Sequence, residues 1–282
     1  MLSRRLPTIL PDLSFEEALE ITKIHSIAGT LPSNSSLINS RPFRSPHHTI
    51  STTALSGGGR IPKPGEMSLA HRGVLFLDEL PEFNKSSLEA MRTPLEDRFI
   101  SISRTSCTLT YPCNFMLVAS MNPCPCGYFG AKDKECTCSE NAIEKYINKI
   151  SGPLLDRIDI HIEVPQVKFT KLENCENGEF SSKIKERVNT ARNIQRKRYE
   201  KYGIFSNSEL NSKMIDEFCK VDTPSKELLK KAFEKFGFSA RAYNKILKVA
   251  RTIADLEGKE NLTIKHVSEA IQYRTLDRKY WR

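Results

Sequence analysis

The chain has 282 residues, 39% of them hydrophobic and 27% charged, with 43 Lys and Arg against 34 Asp and Glu for a formal net charge of +9. This is the composition of a globular protein with about two domains, and no apolar run approaches the roughly 20 residues that span a bilayer. The start, M-L-S-R-R-L-P, has two arginines but no apolar core, which excludes a secretory signal, so the expected compartment is the cytoplasm. The basic balance favours an anionic partner such as nucleic acid or nucleotide. The 8 cysteines, in a reducing compartment, point to metal or free thiols before disulfides.

In chain order, residues 1–30 read as helix, break, helix. Ser14 followed by Glu17 forms a capping-box pattern, and Gly29 closes the amphipathic run behind it. Residues 31–70 are rich in Ser, Pro, Gly and Asn, and Arg44, His47, His48, Arg60 and Lys63 make this long loop basic. It reads either as a substrate-contacting loop or as a solvated one.

Residues 73–80, G-V-L-F-L-D-E-L, are an apolar run ending in two acids. The run suits a strand buried on both faces of a parallel sheet, and carboxylates at its carboxyl end lie on the edge where α/β proteins bind ligands. Asp78 then suits a water-mediated Mg²⁺ contact and Glu79 the polarising of an attacking water; a strand running into a polar turn is the plainer alternative. A helix is expected over 84–95, ended early by Pro94. Two alternating stretches at 98–112 predict a β-hairpin with Arg104 near its tip. Residues 114–120 read as a second fully apolar strand, running into Asn122, whose amide suits either a phosphate or water contact or a turn before Pro123.

Cys124 and Cys126, then Cys136 and Cys138, make two C-x-C pairs within fifteen residues. Four thiolates bind Zn²⁺ tetrahedrally, although C-x-C is tighter than the usual spacing; a structural zinc and unligated loop thiols both remain open. A short helix over 142–150 and an alternating strand over 158–164 follow, with Arg157 just before the strand. Residues 166–180 read as a linker. Beyond them, helices over 181–202, 208–219, 223–236, 239–256 and 263–273 make an all-α unit. The first of these is strongly basic and reads as a solvated face or as a DNA-backbone contact. Arg241 lies in the first turn of the fourth helix, where a cation opposes the helix dipole unless an anion is near.

The ordered set of Asp78-Glu79, Asn122, L-L-D-R at 154–157 and S-A-R at 239–241 resembles the AAA+ ATPases of the magnesium-chelatase and replicative-helicase branch. R-P-F-R-S-P-H-H-T at 41–49, P-G-E-M-S-L-A-H at 64–71 and the run 151–164 narrow the resemblance to the bacterial magnesium-chelatase-like family of ComM and YifB. The resemblance implies a P-loop-type α/β core over 1–165 with a parallel sheet, the linker at 166–180 and an all-α lid over 181–282. It implies Asp78 and Glu79 as Walker B, Asn122 as sensor 1, Arg157 as an arginine finger acting in trans and Arg241 as sensor 2 on the ATP phosphates. It also implies a helix-2 insert near 31–70 and a pre-sensor-1 hairpin at 98–112, both facing the pore of a homo-hexamer. The cofactors would be ATP and Mg, and the activity a DNA-remodelling helicase on single-stranded or branched DNA. A protein-remodelling chelatase motor or a non-catalytic DNA-binding remnant are the alternatives. One element of the family pattern is missing: no G-x-x-x-x-G-K-[ST] occurs in the sequence. The chain therefore reads as a family member cut just after that loop, expected to be inactive alone.

Overall fold

A computed structural model describes residues 3–31, 36–103, 108–131, 134–164 and 178–274. Two compact units emerge, Met1–Arg157 and Ile158–Arg282.

The first unit opens with the helical turns Ser3–Arg5 and Leu6–Ile9, a break, and the helix Phe15–Ala28. Ser14 caps it: its Oγ accepts from the Glu17 amide at 3.2 Å while the Glu17 carboxylate accepts from the Ser14 amide at 3.2 Å. Gly29 ends it in the left-handed region at φ 73°. Next come strand β1 (Phe43–Arg44), the helical turn Thr52–Ser56, strands β2 (Gly57–Gly58) and β3 (Lys63–Pro64), the turn Glu66–Leu69 and strand β4 (Val74–Leu77). The region 31–70 is thus not one long loop. β1 joins the main sheet, and Leu55, Met67, Leu69 and Ala70 enter the core.

After β4 the helices Lys85–Ala90 and Arg92–Asp97 replace the single helix expected over 84–95. The break falls at Met91, and Pro94 sits in the first turn of the second helix, where the missing N–H costs no intrahelical bond. Strands β5 (Phe99–Ser103) and β6 (Thr108–Pro112) form the expected antiparallel hairpin; its turn, including Arg104, lies outside the described residues. Strand β7 (Met116–Ala119) follows, then the helices Glu140–Ile147 and Gly152–Leu155.

The main sheet is parallel, in the order β1-β4-β7. β4 is central, and Val74, Leu75 and Leu77 are buried between layers, as its unbroken apolar run requires. β7 is equally apolar but lies at the edge of the described sheet, which leaves Met116 45% exposed and its neighbours half-buried. β1 and β4 approach closely because Gly73 has no side chain: a Cβ there would meet Pro42 O at 2.1 Å.

The second unit carries the helices Ser181–Tyr199, Ser212–Phe218, Thr223–Phe236, Ala240–Leu256 and Ile264–Gln272. They pack around Tyr199, Ile215, Leu229, Ile246, Ala250 and Val267. The alternating run 158–164 forms no strand. It belongs to this unit, where the His161 amide donates to Tyr273 O at 2.8 Å and the Arg274 guanidinium donates to Ile158 O. No described strand lies beside it, so Ile160, Ile162 and Val164 stay exposed. The linker expected over 166–180 lies outside the described residues up to 177.

Among the buried groups of this unit is an ionic network. The Asp255 carboxylate accepts from Arg198 at 2.6 and 3.0 Å, from Arg251 Nε at 3.1 Å and from Asn207 at 2.9 Å. Arg251 also donates to the carbonyl of Glu260 at 2.6 Å and to that of Lys259. The buried Asp255 carboxylate thereby accepts from four donors, the condition for tolerating buried charge.

Candidate functional site

β4 and β7 pair in register as far as Leu77 and Ala119, so the residues after each strand emerge side by side at the carboxyl edge of the sheet. The chain stays pinned there: the Ser120 amide donates to Leu77 O at 3.0 Å and the Leu80 amide to Ser120 O at 2.9 Å. The Ser120 hydroxyl donates to Asp78 Oδ1, which fixes that carboxylate.

Glu79 adopts the left-handed conformation, φ 53° and ψ 51°. For a residue with a Cβ this costs roughly 1–2 kcal/mol, and the burial of Leu80 and Pro81 directly after it holds the turn. The turn swings the Glu79 side chain outward, 56% exposed, to within 3.5 Å of His48 Nδ1. His48 follows β1, and its ring stands edge-on to Phe83 at 6.4 Å and against His47 at 4.1 Å.

Asn122 lies two residues beyond Ser120 and is exposed. Its backbone hydrogen-bonds the Tyr146 hydroxyl from the helix Glu140–Ile147. The Tyr146 phenol is pushed up by burial and by the carboxylates of Glu82 and Glu79 and the Cys124 thiol nearby. The sheet edge therefore gathers Asp78, Glu79, His48 and Ser120, with Asn122 two residues further along the chain. Exposed carboxylates at this edge have the chemistry to take Mg²⁺ and orient a water.

Other predicted site residues go elsewhere. Arg157, expected to reach a neighbouring subunit, is turned inward with only 10% of its side chain exposed. Its Nε donates to Arg92 O at 2.9 Å, Nη1 to Pro153 O at 2.6 Å, and Nη2 pairs with Glu96 at 2.8 Å. Within this chain all three nitrogens bond to the helices Arg92–Asp97 and Gly152–Leu155. Arg44 is likewise committed, donating to both Glu66 oxygens at 2.6 and 2.7 Å, which holds its pKa above the usual arginine value. His47 bonds Thr49 Oγ1 at 2.9 Å. Arg60 and Lys63 are exposed around the β2–β3 turn, which is tied to the hairpin where the Tyr111 hydroxyl donates to Pro62 O at 2.9 Å. Arg241 is exposed in the first turn of Ala240–Leu256, whose cap is Ser239. The cysteines Cys124, Cys126, Cys136 and Cys138 come together, with all four Sγ atoms within 4.8 Å of one another.

Sequence reasoning missed Ser120 and Glu96 and did not pair His48 with Glu79. A polar residue one step past an apolar strand was the only signal for Ser120. The Glu96 and His48 pairings span 61 and 31 residues along the chain, beyond any local pattern.

Comparison with known proteins agrees with this arrangement. The family model for magnesium chelatase, subunit ChlI, matches residues 1–172, and that for its C-terminal region matches 178–274. The chain is 45% identical over 279 residues to competence protein ComM of Haemophilus influenzae, covering 99% of this chain and 53% of that protein. It is also 45% identical to the uncharacterized protein YifB of Escherichia coli, covering 99% of this chain and 54% of that one. A chloroplastic magnesium-chelatase subunit, ChlI-2 of Arabidopsis thaliana, is 24% identical, covering 77% of this chain and 46% of the plant protein. The chain thus spans about half the length of these relatives. No helix among the described residues is long and apolar enough to cross a membrane. With a parallel sheet carrying paired acids, a helical C-terminal unit and family models matching both, the chain belongs to the magnesium-chelatase-like AAA+ family that includes ComM and YifB.

Proposed function

We propose that this chain is the catalytic-acid and lid portion of an ATP-driven motor that acts on DNA. The observation that supports the reading is that two parallel strands held in register lead at the same edge into Asp78-Glu79 and into the segment that carries Asn122. In this reading Asp78, steadied by Ser120, would hold Mg²⁺; Glu79 orients and deprotonates the attacking water; and the Asn122 amide hydrogen-bonds that water or the terminal phosphate. Bound Mg²⁺ would supply charge neutralisation of the phosphates. His48, beside Glu79, is a positioning residue that sets the carboxylate's direction. Arg241, in the first turn of Ala240–Leu256, is the lid's phosphate contact in this reading, as the family pattern implies.

The sequence lacks the G-x-x-x-x-G-K-[ST] loop whose backbone amides and lysine cradle phosphates. The activity is accordingly assigned to the complete protein, as a hexameric ring, and this chain by itself binds ATP weakly. DNA is favoured as the substrate by the net charge of +9 and by exposed cations on one helix, Lys183, Arg196 and Lys197, together with Arg60 and Lys63. The ComM relative's name as a competence protein is in keeping with that choice. A protein-remodelling chelatase role is the second reading, supported by the family model.

The test is ATP turnover by the complete protein with and without branched or single-stranded DNA, alongside this chain alone. DNA-stimulated turnover by the complete protein and none by the chain is expected. Turnover indifferent to DNA moves the assignment to a protein substrate, and measurable turnover by the chain alone removes the requirement for the missing loop.

A further inference from the structure

Between Ser120 and the helix Glu140–Ile147 the chain runs without regular secondary structure among its described residues. Such a segment buries little apolar surface of its own, and long irregular excursions need another source of order. Its ends are nevertheless closely set. Cys124 is fully buried, and its Sγ lies 3.4 Å from Cys126 Sγ and 3.7 Å from Cys136 Sγ, with Cys126 and Cys136 3.6 Å apart. Cys138 completes the group within 4.8 Å. These separations exceed a disulfide bond of about 2.05 Å but approach the edge of a tetrahedron of sulfurs about 2.3 Å from a central ion, which is about 3.8 Å.

Backbone amides reach the sulfurs. The Phe129 amide donates to Cys124 Sγ at 3.3 Å, and the amides of Tyr128 and Thr137 hydrogen-bond Cys126 Sγ. Gly127, at φ 82°, gives the turn that carries the chain past the sulfurs, a conformation that strains any residue with a Cβ. Cys113 and Cys219 stand outside the group, each a buried thiol pushed up by burial, to about 12 and about 11 respectively. They behave as small apolar side chains.

We propose that Cys124, Cys126, Cys136 and Cys138 bind one Zn²⁺, and that this ion positions Asn122. All four ligands come from protein, so no site is left open for a substrate and the role is structural. The geometry makes the second half of the proposal. Cys124 is two residues from Asn122, Asn122 Cγ lies 4.0 Å from the point a Cβ on Gly127 would occupy, and Cys138 abuts Ser139, the cap of the helix whose Tyr146 bonds the Asn122 backbone. The metal closes this ring of contacts two residues from Asn122, just past the carboxyl end of β7. Zinc binding stands apart from the motor reading, since it rests on the sulfurs alone.

The protein, purified without added metal or chelator, is expected to contain about one equivalent of zinc by elemental analysis, and cobalt replacement is expected to give thiolate charge-transfer and tetrahedral absorption. Cys126→Ser and Cys136→Ser are expected to lose the metal, and Cys219→Ala to keep it. Amide hydrogen exchange then reads the positioning. Removing zinc from the wild-type protein with a chelator should raise exchange over 120–131 and in the helix Glu140–Ile147 by at least tenfold while leaving Ala240–Leu256 unchanged. Absence of zinc, or a coloured iron centre in its place, overturns the metal assignment. Bound zinc whose removal leaves exchange at 120–131 unaltered overturns the positioning role.

Discussion

Glu79 Oε2 lies 3.5 Å from His48 Nδ1, although 31 residues separate them in the chain. The contact exists because β1 and β4 are parallel neighbours, so that the segments leaving both strands open onto the same edge. Glu79→Gln keeps shape and removes the base; in the complete protein it is expected to lower ATP turnover by about 10²–10⁴ with little change in KM. His48→Ala should lower kcat by about tenfold in the absence of DNA, because the carboxylate loses its orientation. If His48 serves only to contact DNA, that variant will instead weaken DNA binding and leave basal turnover intact.

The inward set of Arg157 makes a separable prediction. Arg157→Ala leaves Glu96 and two helix carbonyls without their charged donor and is expected to destabilise the first unit by about 2 kcal/mol. Glu96→Ala should cost less, because Glu96 is 42% exposed and the pair is partly screened by solvent. Urea unfolding measures both. An arginine that serves as a finger would leave the unfolding midpoint of Arg157→Ala unchanged while abolishing turnover by the assembled protein.

In the second unit, Asp255→Ala strands Arg251 and Arg198 in the interior, Arg251 being 2% exposed. The expected loss is about 3–5 kcal/mol, seen as a lower thermal midpoint. Replacing Lys197, exposed on the same helix as Arg198, should leave that midpoint in place and reduce the salt dependence of DNA binding.

Acid should loosen the first unit. His71 is depressed below 6.5 by burial, and its ring accepts from the Asn114 amide at 3.0 Å while meeting Glu20 at 3.1 Å. His25 is also depressed by burial and bonds Leu69 O at 3.1 Å. A histidine with a lowered folded pKa contributes stability that is complete above about 6.5 and disappears as pH falls through the folded value. Unfolding free energy measured from pH 7.5 to 5 should therefore decline below about 6.5. His71→Gln should flatten that slope, and an unchanged slope would refute the assignment.

Local chemistry made much of this molecule legible from residue order alone. Ser14 with Glu17, the unbroken run before Asp78, the alternation on either side of the hairpin turn and the stops at Gly29 and Gly237 each specify an element, because a cap, a period or a left-handed glycine acts over a few residues. The same patterns misled where the outcome depends on a distant neighbour. The alternation at 158–164 is that of a strand, yet a strand exists only if another lies alongside, and here the Tyr273 carbonyl is the partner.

Charges followed the same division. The sequence alone establishes that Arg44, Arg157 and Arg198 are cations, that two acids end an apolar run and that four cysteines cluster within fifteen residues. Tertiary structure decided that those three arginines are bound to Glu66, Glu96 and Asp255, that His48 meets Glu79 and that the sulfurs converge. The physical reason is range: propensity and periodicity act within a turn or a strand, while an ion pair or a thiolate cluster is chosen by which chain segments packing brings within about 4 Å.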